Sequence, residues 1–317
     1  MTSSREFEPV VQACQRVLNE ADLQRLDLLS ARRVFHGRGH LYPGLEHLVV
    51  NWYPPYLMLA VFHAVEDQSM QALGEELRTL FARKGLPLEG IALQTRDGRR
   101  TATHILWGDV PEEHIALEDG LKFKISPLKN QNVGLFLDMS HVRQHIAQFM
   151  QNANVLNLFA YTCAFSVSAV HWGARQVVNN DMSSNALKVG AENHELNGHD
   201  LRKVRMLPHN LFKSWWKIKQ FGPYDVIIID PPTNQRGSFV AEKSYGQVLK
   251  RLPDLACPGA RIIACLNSPF LGPEFLTQQM QRWCPACELI GFLSSHPDFP
   301  DRFPERGLKV AEFVYRG

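Results

Sequence analysis

The run Tyr224-Asp-Val-Ile-Ile-Ile229 ends directly in Asp230-Pro231-Pro232, and this junction constrains the fold more than any other stretch of the chain. Its four consecutive apolar residues leave no polar face, so the strand should be covered on both sides, as in a parallel sheet. Two successive prolines cannot donate backbone hydrogen bonds and hold the chain extended, so the strand stops and Asp230 stands at its C-terminal end. The flanking sequence alternates in the same rhythm. Val155–Phe159, Gln176–Asn180 and Val204–Leu207 read as strands, with helices over Phe165–Trp172 and Ser184–Leu196. Beyond the junction come a helix (Ser244–Ala256), a strand (Arg261–Leu266) and a helix (Pro273–Trp283). Glu288–Ser294 and Lys309–Tyr315 lack a helix between them and should pair antiparallel at one end. The expectation is an α/β fold, a mainly parallel sheet with helices on both faces.

The earlier sequence has another texture. Phe7, Val10, Val11, Cys14, Val17 and Leu18 recur at helical steps within 6–29. Short β-prone runs at 33–39, 48–53 and 56–65 precede a helix over 69–84. Leu88–Gln94 and Thr101–Trp107 flank Asp97-Gly98, a hairpin signal. A length of 317 residues suits two domains. The expected division is an N-terminal helix (1–30), a small α+β domain (31–126) for RNA or substrate recognition, and an α/β domain (127–317). Net charge is +2, divided as −3 over 1–126 and +5 over 127–317, which excludes a bulk polycation and fits weak attraction of a polyanion by the second part. No apolar run approaches the roughly 20 residues that span a bilayer, and no secretory signal is visible. Six cysteines in a chain this long do not make a disulfide framework, so a cytoplasmic, reducing location is expected.

In open α/β sheets ligands sit beyond the C-terminal ends of the strands, near the point where strand order reverses. The first strand ends in Phe159-Ala-Tyr-Thr-Cys-Ala-Phe165, a small-residue turn into a helix. The second ends in Asp181, twenty residues after Tyr161, where a carboxylate can accept from two ribose hydroxyls. Asp181 could instead cap the following helix, a role open also to Ser183 or Ser184. Cys163 and Ala164 stand where glycines would admit a pyrophosphate, so a nucleoside without phosphates fits better, pointing to S-adenosylmethionine over NAD. After the third strand, Asn210 can accept from an adenine amino group or cap a helix. Asp230 and the proline carbonyls would face the cleft.

Asn157-Leu-Phe-Ala-Tyr-Thr162, Asp181-Met-Ser183, Asn197-Gly198 and Asp230-Pro-Pro-Thr233 together resemble the class I S-adenosylmethionine-dependent methyltransferases, and within them bacterial 23S ribosomal RNA base methyltransferases. Lys122-Phe-Lys, Gly134-Leu-Phe-Leu-Asp138 and Arg143 are similar to the entry into the catalytic domain. Arg33–Asn51 resembles the preceding small domain, and His296-Pro, Phe303-Pro-Glu305 and Leu308-Lys309 the last hairpin. The resemblance spans about 33–316 and implies a Rossmann-like seven-stranded sheet whose last strand is antiparallel. It implies cofactor contacts from Phe136, Asp138, Asn157, Phe159, Tyr161, Thr162, Asp181, Met182, Asn210 and Asp230. Asp230, Pro231, Pro232, Thr233 and Asn267 would form the acceptor side. Implied partners are S-adenosyl-L-methionine and RNA, as 23S ribosomal RNA or a ribosomal assembly intermediate, with no membrane. Residues 1–30 are expected to hold a helix and not the RNA-binding PUA-type domain of some members. Family members usually carry Gly at 163 and often at 164, and Asp at 210.

Acceptor chemistry narrows the target. Cytosine C5 needs a thiolate to add to the ring first. The family's 5-methylcytosine members carry that Cys at the position of Asn267, while Cys265 lies two residues earlier and is either a core residue or a reachable thiol. Exocyclic amino methylation usually goes with an aromatic at 233, where Thr stands. Guanine N7 has a free lone pair, and the family's 7-methylguanine members share Asp-Pro-Pro-Thr and the Asn, so N7 is the first expectation and cytosine C5 the second. A small-molecule or protein acceptor, or a binding module without turnover, are the alternatives. Cys284-Pro-Ala-Cys287 lacks a second ligand pair, so no metal is expected. His194, His199 and His209 read as surface-like helix ends. Lys213–Lys219 mixes bases with tryptophans and is either an RNA-facing stretch or a surface helix with one buried Trp.

Overall fold

The computed structural model describes residues 6–20, 29–63, 65–96, 101–129, 131–232, 234–235 and 239–317. The turn at Asp97-Gly98, Thr233 and the loop 236–238 lie outside the described residues. Contacts divide the chain into two units, Met1–Asp138 with His296–Arg302, and Met139–Ser295 with Phe303–Gly317.

In the first unit, helix α1 (Glu8–Glu20) buries Val10, Cys14 and Leu18, which its 3.6-residue period places on one side, and Phe7 just before it is buried too. Strands β1 (Arg32–His36), β2 (Leu48–Tyr53) and β3 (Tyr56–Val61) pair antiparallel in sequence. Helix α2 (Asp67–Arg83) crosses over to β4 (Gly90–Arg96), parallel to β3, and buries Met70, Leu73, Leu77 and Phe81. β5 (Thr101–Gly108) closes the five-stranded sheet antiparallel to β4, as the hairpin signal implies. β6 (His114–Glu118) and β7 (Leu121–Ile125) form a separate hairpin. The segment His296–Arg302 is held to this unit by an ion pair of Arg32 with Asp298 at 2.8 Å and by the amide of Arg302 donating to the carbonyl of Gly39. A Cβ at Gly39 would lie 1.9 Å from the Pro300 carbonyl oxygen, so only glycine admits the segment there.

The second unit opens with α3 (Ser140–Ile146) and runs β8 (Asn154–Leu158), α4 (Ala164–His171), β9 (Gln176–Asn180), α5 (Ser184–Leu196), β10 (Val204–Leu207), α6 (Trp215–Lys219) and β11 (Tyr224–Ile229). Short strands β12 (Asn234–Gln235) and β13 (Phe239–Val240) precede α7 (Ala241–Leu249), α8 (Leu252–Leu255), β14 (Ala256–Asn267), α9 (Glu274–Trp283), β15 (Cys287–Phe292) and β16 (Leu308–Tyr315). The sheet order is β10-β9-β8-β11-β14-β16-β15. The first five strands are parallel, and β16 is antiparallel to both neighbours. This is the expected α/β architecture. β11 and β8 are buried almost throughout, because helices cover both faces. Order reverses between β8 and β11, which makes their C-terminal ends the topological switch point. Among the described residues no helix is long and apolar enough to cross a membrane.

Candidate functional site

Strand register aligns Leu207, Asn180, Leu158, Ile229 and Ala264 in one row across the second unit's sheet. Phe159, Asp181 and Asp230 each follow that row by one residue, so the pairing itself brings three of the expected site residues to one edge. Asn267 ends β14 beside them and is exposed. Pro231 is buried and Pro232 exposed. Thr233 lies outside the described residues. Phe136 and Asp138 fall in the first unit, Phe136 being 41% exposed and Asp138 the charge that offsets the depression of the buried Arg33 guanidinium's titration.

The turn after β8 is bent by alternate residues. Phe159, Tyr161 and Cys163 have φ of 60°, 48° and 63°, a left-handed region costly for side chains with a Cβ. Its anchor is Asp181. The carboxylate accepts from the amide of Tyr161 through Oδ2 and from the amide of Ser183 through Oδ1, both at 2.8 Å. Ser183, not Asp181, caps α5, its hydroxyl accepting from the amide of Ala186 at 3.2 Å. Asp181 is thus tied to the turn, and each oxygen keeps a second lone pair for a ribose hydroxyl. Burial, and then the Asp181 charge, raise the Tyr161 phenol above its ordinary range. Met182, 50% exposed, adds an apolar surface next to the carboxylate.

Cys163 does not crowd this edge. Its thiol is fully buried behind the turn with Ala160, Leu187 and Met206. Burial raises its titration well above the ordinary thiol range, so it is no nucleophile. Phe159 directs its ring into the core, 5.2 Å from Phe239 and edge-on, which leaves its backbone for a ligand. Asn210 Oδ1 accepts from the amide of Phe212 at 3.0 Å, the capping role.

Behind the turn runs a polar chain that periodicity does not reveal. Asn157 Nδ2 donates to Asn179 Oδ1 at 2.9 Å, and Asn179 Nδ2 donates to Ser166 Oγ at 2.9 Å. Ser166 Oγ lies 2.9 Å from His194 Nε2, and His194 Nδ1 lies 3.0 Å from His199 Nδ1. One direction satisfies every member, with the Ser166 hydroxyl donating to Nε2 and the Nδ1 proton of His194 going to His199. His194 is fully buried, which corrects the surface reading of that residue, and burial followed by the nearby His199 pushes its titration down to about 3. Asn193 adds a bond from Nδ2 to the Thr162 carbonyl at 3.0 Å. Asn157 and Thr162 therefore act from inside, holding β8, β9, α4 and α5 in register beneath the turn.

Cys265 is buried in the core with Ile263 and Val310, away from solvent. A further residue at this edge escaped the sequence reading. Phe270 follows Asn267 in the turn after β14 and is 90% exposed. Two bonds hold that turn: the Phe270 amide donates to Ser268 Oγ at 3.3 Å, and the buried Lys309 ammonium donates to the carbonyl of Ser268. The run Ser-Pro-Phe-Leu-Gly-Pro directly after a strand end was its available signal, since turn residues face solvent. In the basic aromatic stretch, Ile218 is buried, Trp215 packs on the core and Trp216 is 60% exposed. Cys284 and Cys287 are both buried with sulfurs 3.5 Å apart.

The family model described as S-adenosylmethionine-dependent methyltransferase matches residues 32–314. The ribosomal RNA large subunit methyltransferase I of Aeromonas hydrophila is 31% identical over 284 residues, covering 84% of this chain and 72% of the relative. Its counterpart from Aeromonas salmonicida is 30% identical over 283 residues with the same shares. Among solved structures, a Streptococcus mutans protein assigned as a SAM-dependent methyltransferase superposes with a TM-score of 0.81 at 20% identity, over 96% of this chain and 81% of that one. At that identity the likeness speaks for the fold.

Proposed function

The chain belongs to the S-adenosylmethionine-dependent methyltransferase family, and from that premise we propose that it methylates a base in 23S ribosomal RNA, guanine N7 first, as a cytoplasmic enzyme. S-adenosylmethionine is its cofactor. The observation that carries the site assignment is Asp181, whose carboxylate is bonded to the Tyr161 amide at 2.8 Å at the switch-point edge. An anchored acceptor there suits the two hydroxyls of a ribose, and the exposed Met182 suits the face of an adenine. Asn210 lies on the adenine side; its oxygen retains one lone pair beyond the cap bond. The residues fit the cofactor, with Phe159–Thr162 supplying backbone.

Bound there, S-adenosylmethionine supplies an electrophilic methyl group on a sulfonium. The protein's part is to aim the acceptor along the line of that bond. Asp230 and the carbonyls of Pro231 and Pro232 would accept from the base edge, with Thr233 and Asn267 beside them. Guanine N7 attacks through its own lone pair, so no side chain has to remove a proton first. The burial of Cys265 speaks against the thiolate addition that cytosine C5 requires. Phe270 offers a flat apolar face for a base taken out of its stack. The relatives' names support ribosomal RNA as the substrate class; its recognition is the role we propose for the first unit.

Nucleoside mass spectrometry of ribosomal RNA from a deletion strain tests the reading. Loss of one 7-methylguanine, restored by the wild-type gene and not by an Asp230→Ala variant, is the expected result. An unchanged nucleoside profile would overturn it.

A further inference from the structure

Three arginines of the first unit gather with no ion pair within 4.0 Å among the described residues, Asp138 being the carboxylate whose charge reaches Arg33. Arg38, in the turn after β1, and Arg96, at the end of β4, lie over the same ring. Their guanidinium carbons are 4.0 Å and 5.2 Å from the centroid of Phe62, which directly follows β3. Both guanidinium groups thus border one ring. Arg33 on β1 stands over Phe299 at 4.3 Å, donates from Nε to Asn51 Oδ1 at 2.9 Å, and lies 2.9 Å through Nη1 from His36 Nδ1. Arg96 donates to Gln94 Oε1 at 2.5 Å and to the Gln131 carbonyl at 2.6 Å.

Among the described residues, Arg33 and Arg96 bond to neutral partners, Asn51, His36, Gln94 and the Gln131 carbonyl. Among the described residues none of the three has an ion pair within 4.0 Å, whereas Arg32, Lys124 and Lys129 of the same unit pair with Asp298, Glu113 and Glu112. Burial brings Arg33 down to about 10; the Asp138 charge is the next largest effect and opposes it, while Arg96 and then Arg38 add to the lowering. Burial followed by Arg33 and Arg38 holds His36 at about 3, so it is neutral at pH 7 and an acceptor for Arg33. Burial also lowers Arg38 and Arg96. Partly desolvated like charges repel, and an anion between them removes that cost. A guanidinium over an aromatic ring can still offer N–H groups to phosphate oxygens; for Arg96, whose Nε and one Nη2 proton are engaged, these are on Nη1 and the other Nη2 proton.

We infer that Arg38 and Arg96, placed over Phe62 and backed by Arg33, form a phosphate site that grips the backbone of the RNA substrate. The inference rests on the RNA reading above and adds the place and chemistry of a contact. A unit whose sequence carries −3 over residues 1–126 does not attract RNA by bulk charge, so a point contact is what its arginines can supply.

The test is equilibrium binding of a labelled 23S ribosomal RNA fragment to the full chain at several KCl concentrations, with Arg38→Gln, Arg96→Gln and the double variant. Cofactor binding and inorganic phosphate titrations run alongside. Each substitution should weaken RNA binding about fivefold or more and lower the salt slope by roughly 0.7–0.9, with cofactor affinity kept. Arg96→Lys should restore the slope but not the full affinity. Wild-type RNA binding with an unchanged slope in the double variant overturns this inference alone. Variants that lose inorganic phosphate but bind RNA as the wild type does also overturn it. Absence of RNA binding by the wild type overturns it together with the RNA reading.

Discussion

The thiol of Cys163 fills the space that a side chain at position 190 would need: a Cβ on Gly190 would fall 2.4 Å from Cys163 Sγ. A cysteine in the ligand-side turn is tolerated because helix α5 presents glycine at the contact point, and the larger residue points backward. The pair predicts a coupled double-mutant cycle. Gly190→Ala should cost about 1–3 kcal/mol through overpacking. In a Cys163→Gly background the same change should be neutral or stabilising, since Ala exceeds Gly in a helix by about 1 kcal/mol. Denaturant titrations of the four proteins measure the coupling, and simple additivity would refute the backward placement of the thiol.

Asp181 is expected to govern cofactor affinity more than stability. Asp181→Asn keeps an acceptor for the Tyr161 amide, gives up the bond from the Ser183 amide and loses the charge that strengthens bonds from ribose hydroxyls. Removing a charge-assisted hydrogen bond costs about 1.5–3 kcal/mol, or roughly 10–150-fold in Kd. Calorimetric titration with S-adenosylmethionine measures it; a Kd within twofold of wild type would remove Asp181 from the site.

The buried His194 makes the second unit acid-sensitive. Its native titration near 3 lies below the ordinary value of 6.5. Between those values the unfolded chain holds a proton that the native chain does not. Stability is therefore lost as pH falls through this window, by about 1.4 kcal/mol per pH unit. Urea midpoints at about pH 7 and pH 5 should differ accordingly, and His194→Gln should flatten the difference. An equal acid dependence in that variant would assign the effect elsewhere.

Cys265 should be dispensable for methyl transfer. Cys265→Ala removes a buried sulfur at a cost of about 1 kcal/mol and should leave kcat within about twofold. RNA carrying 5-fluorocytosine should form no covalent complex with the wild type. A denaturant-stable adduct that disappears in Cys265→Ala would instead establish cytosine C5 chemistry.

Phe270 should act on RNA and not on cofactor. Base stacking is worth about 1–3 kcal/mol, so Phe270→Ala should raise KM for RNA roughly tenfold, with S-adenosylmethionine affinity kept. Phe270→Tyr should retain wild-type KM. Indifference of KM to the alanine change would exclude a stacking role.

The strands and their ends were legible in the sequence because a buried strand needs an apolar run and a parallel strand needs a helix to return. Val226–Ile229 stopped by two prolines, and Asp181 at a fixed interval from Tyr161, are local patterns of that kind. The buried chain from Asn157 to His199 was not legible. Asn, Ser and His look like surface residues until several elements enclose them and each becomes the other's partner. Nor could the sequence tell that Asp181 would leave helix capping to Ser183, since both lie in the same short turn.

Residue order alone thus determined the α/β alternation, the sheet edge where ligands gather and the family resemblance. Only the tertiary structure decided that His296–Arg302 belongs with the first unit, that Cys163 turns inward onto Gly190, and that arginines from the turn after β1 and from β4 meet around Phe62. Local chain geometry acts over a few residues and repeats, so it can be read along the chain. Packing joins residues far apart in sequence according to volume and charge in three dimensions, and no periodicity encodes that meeting.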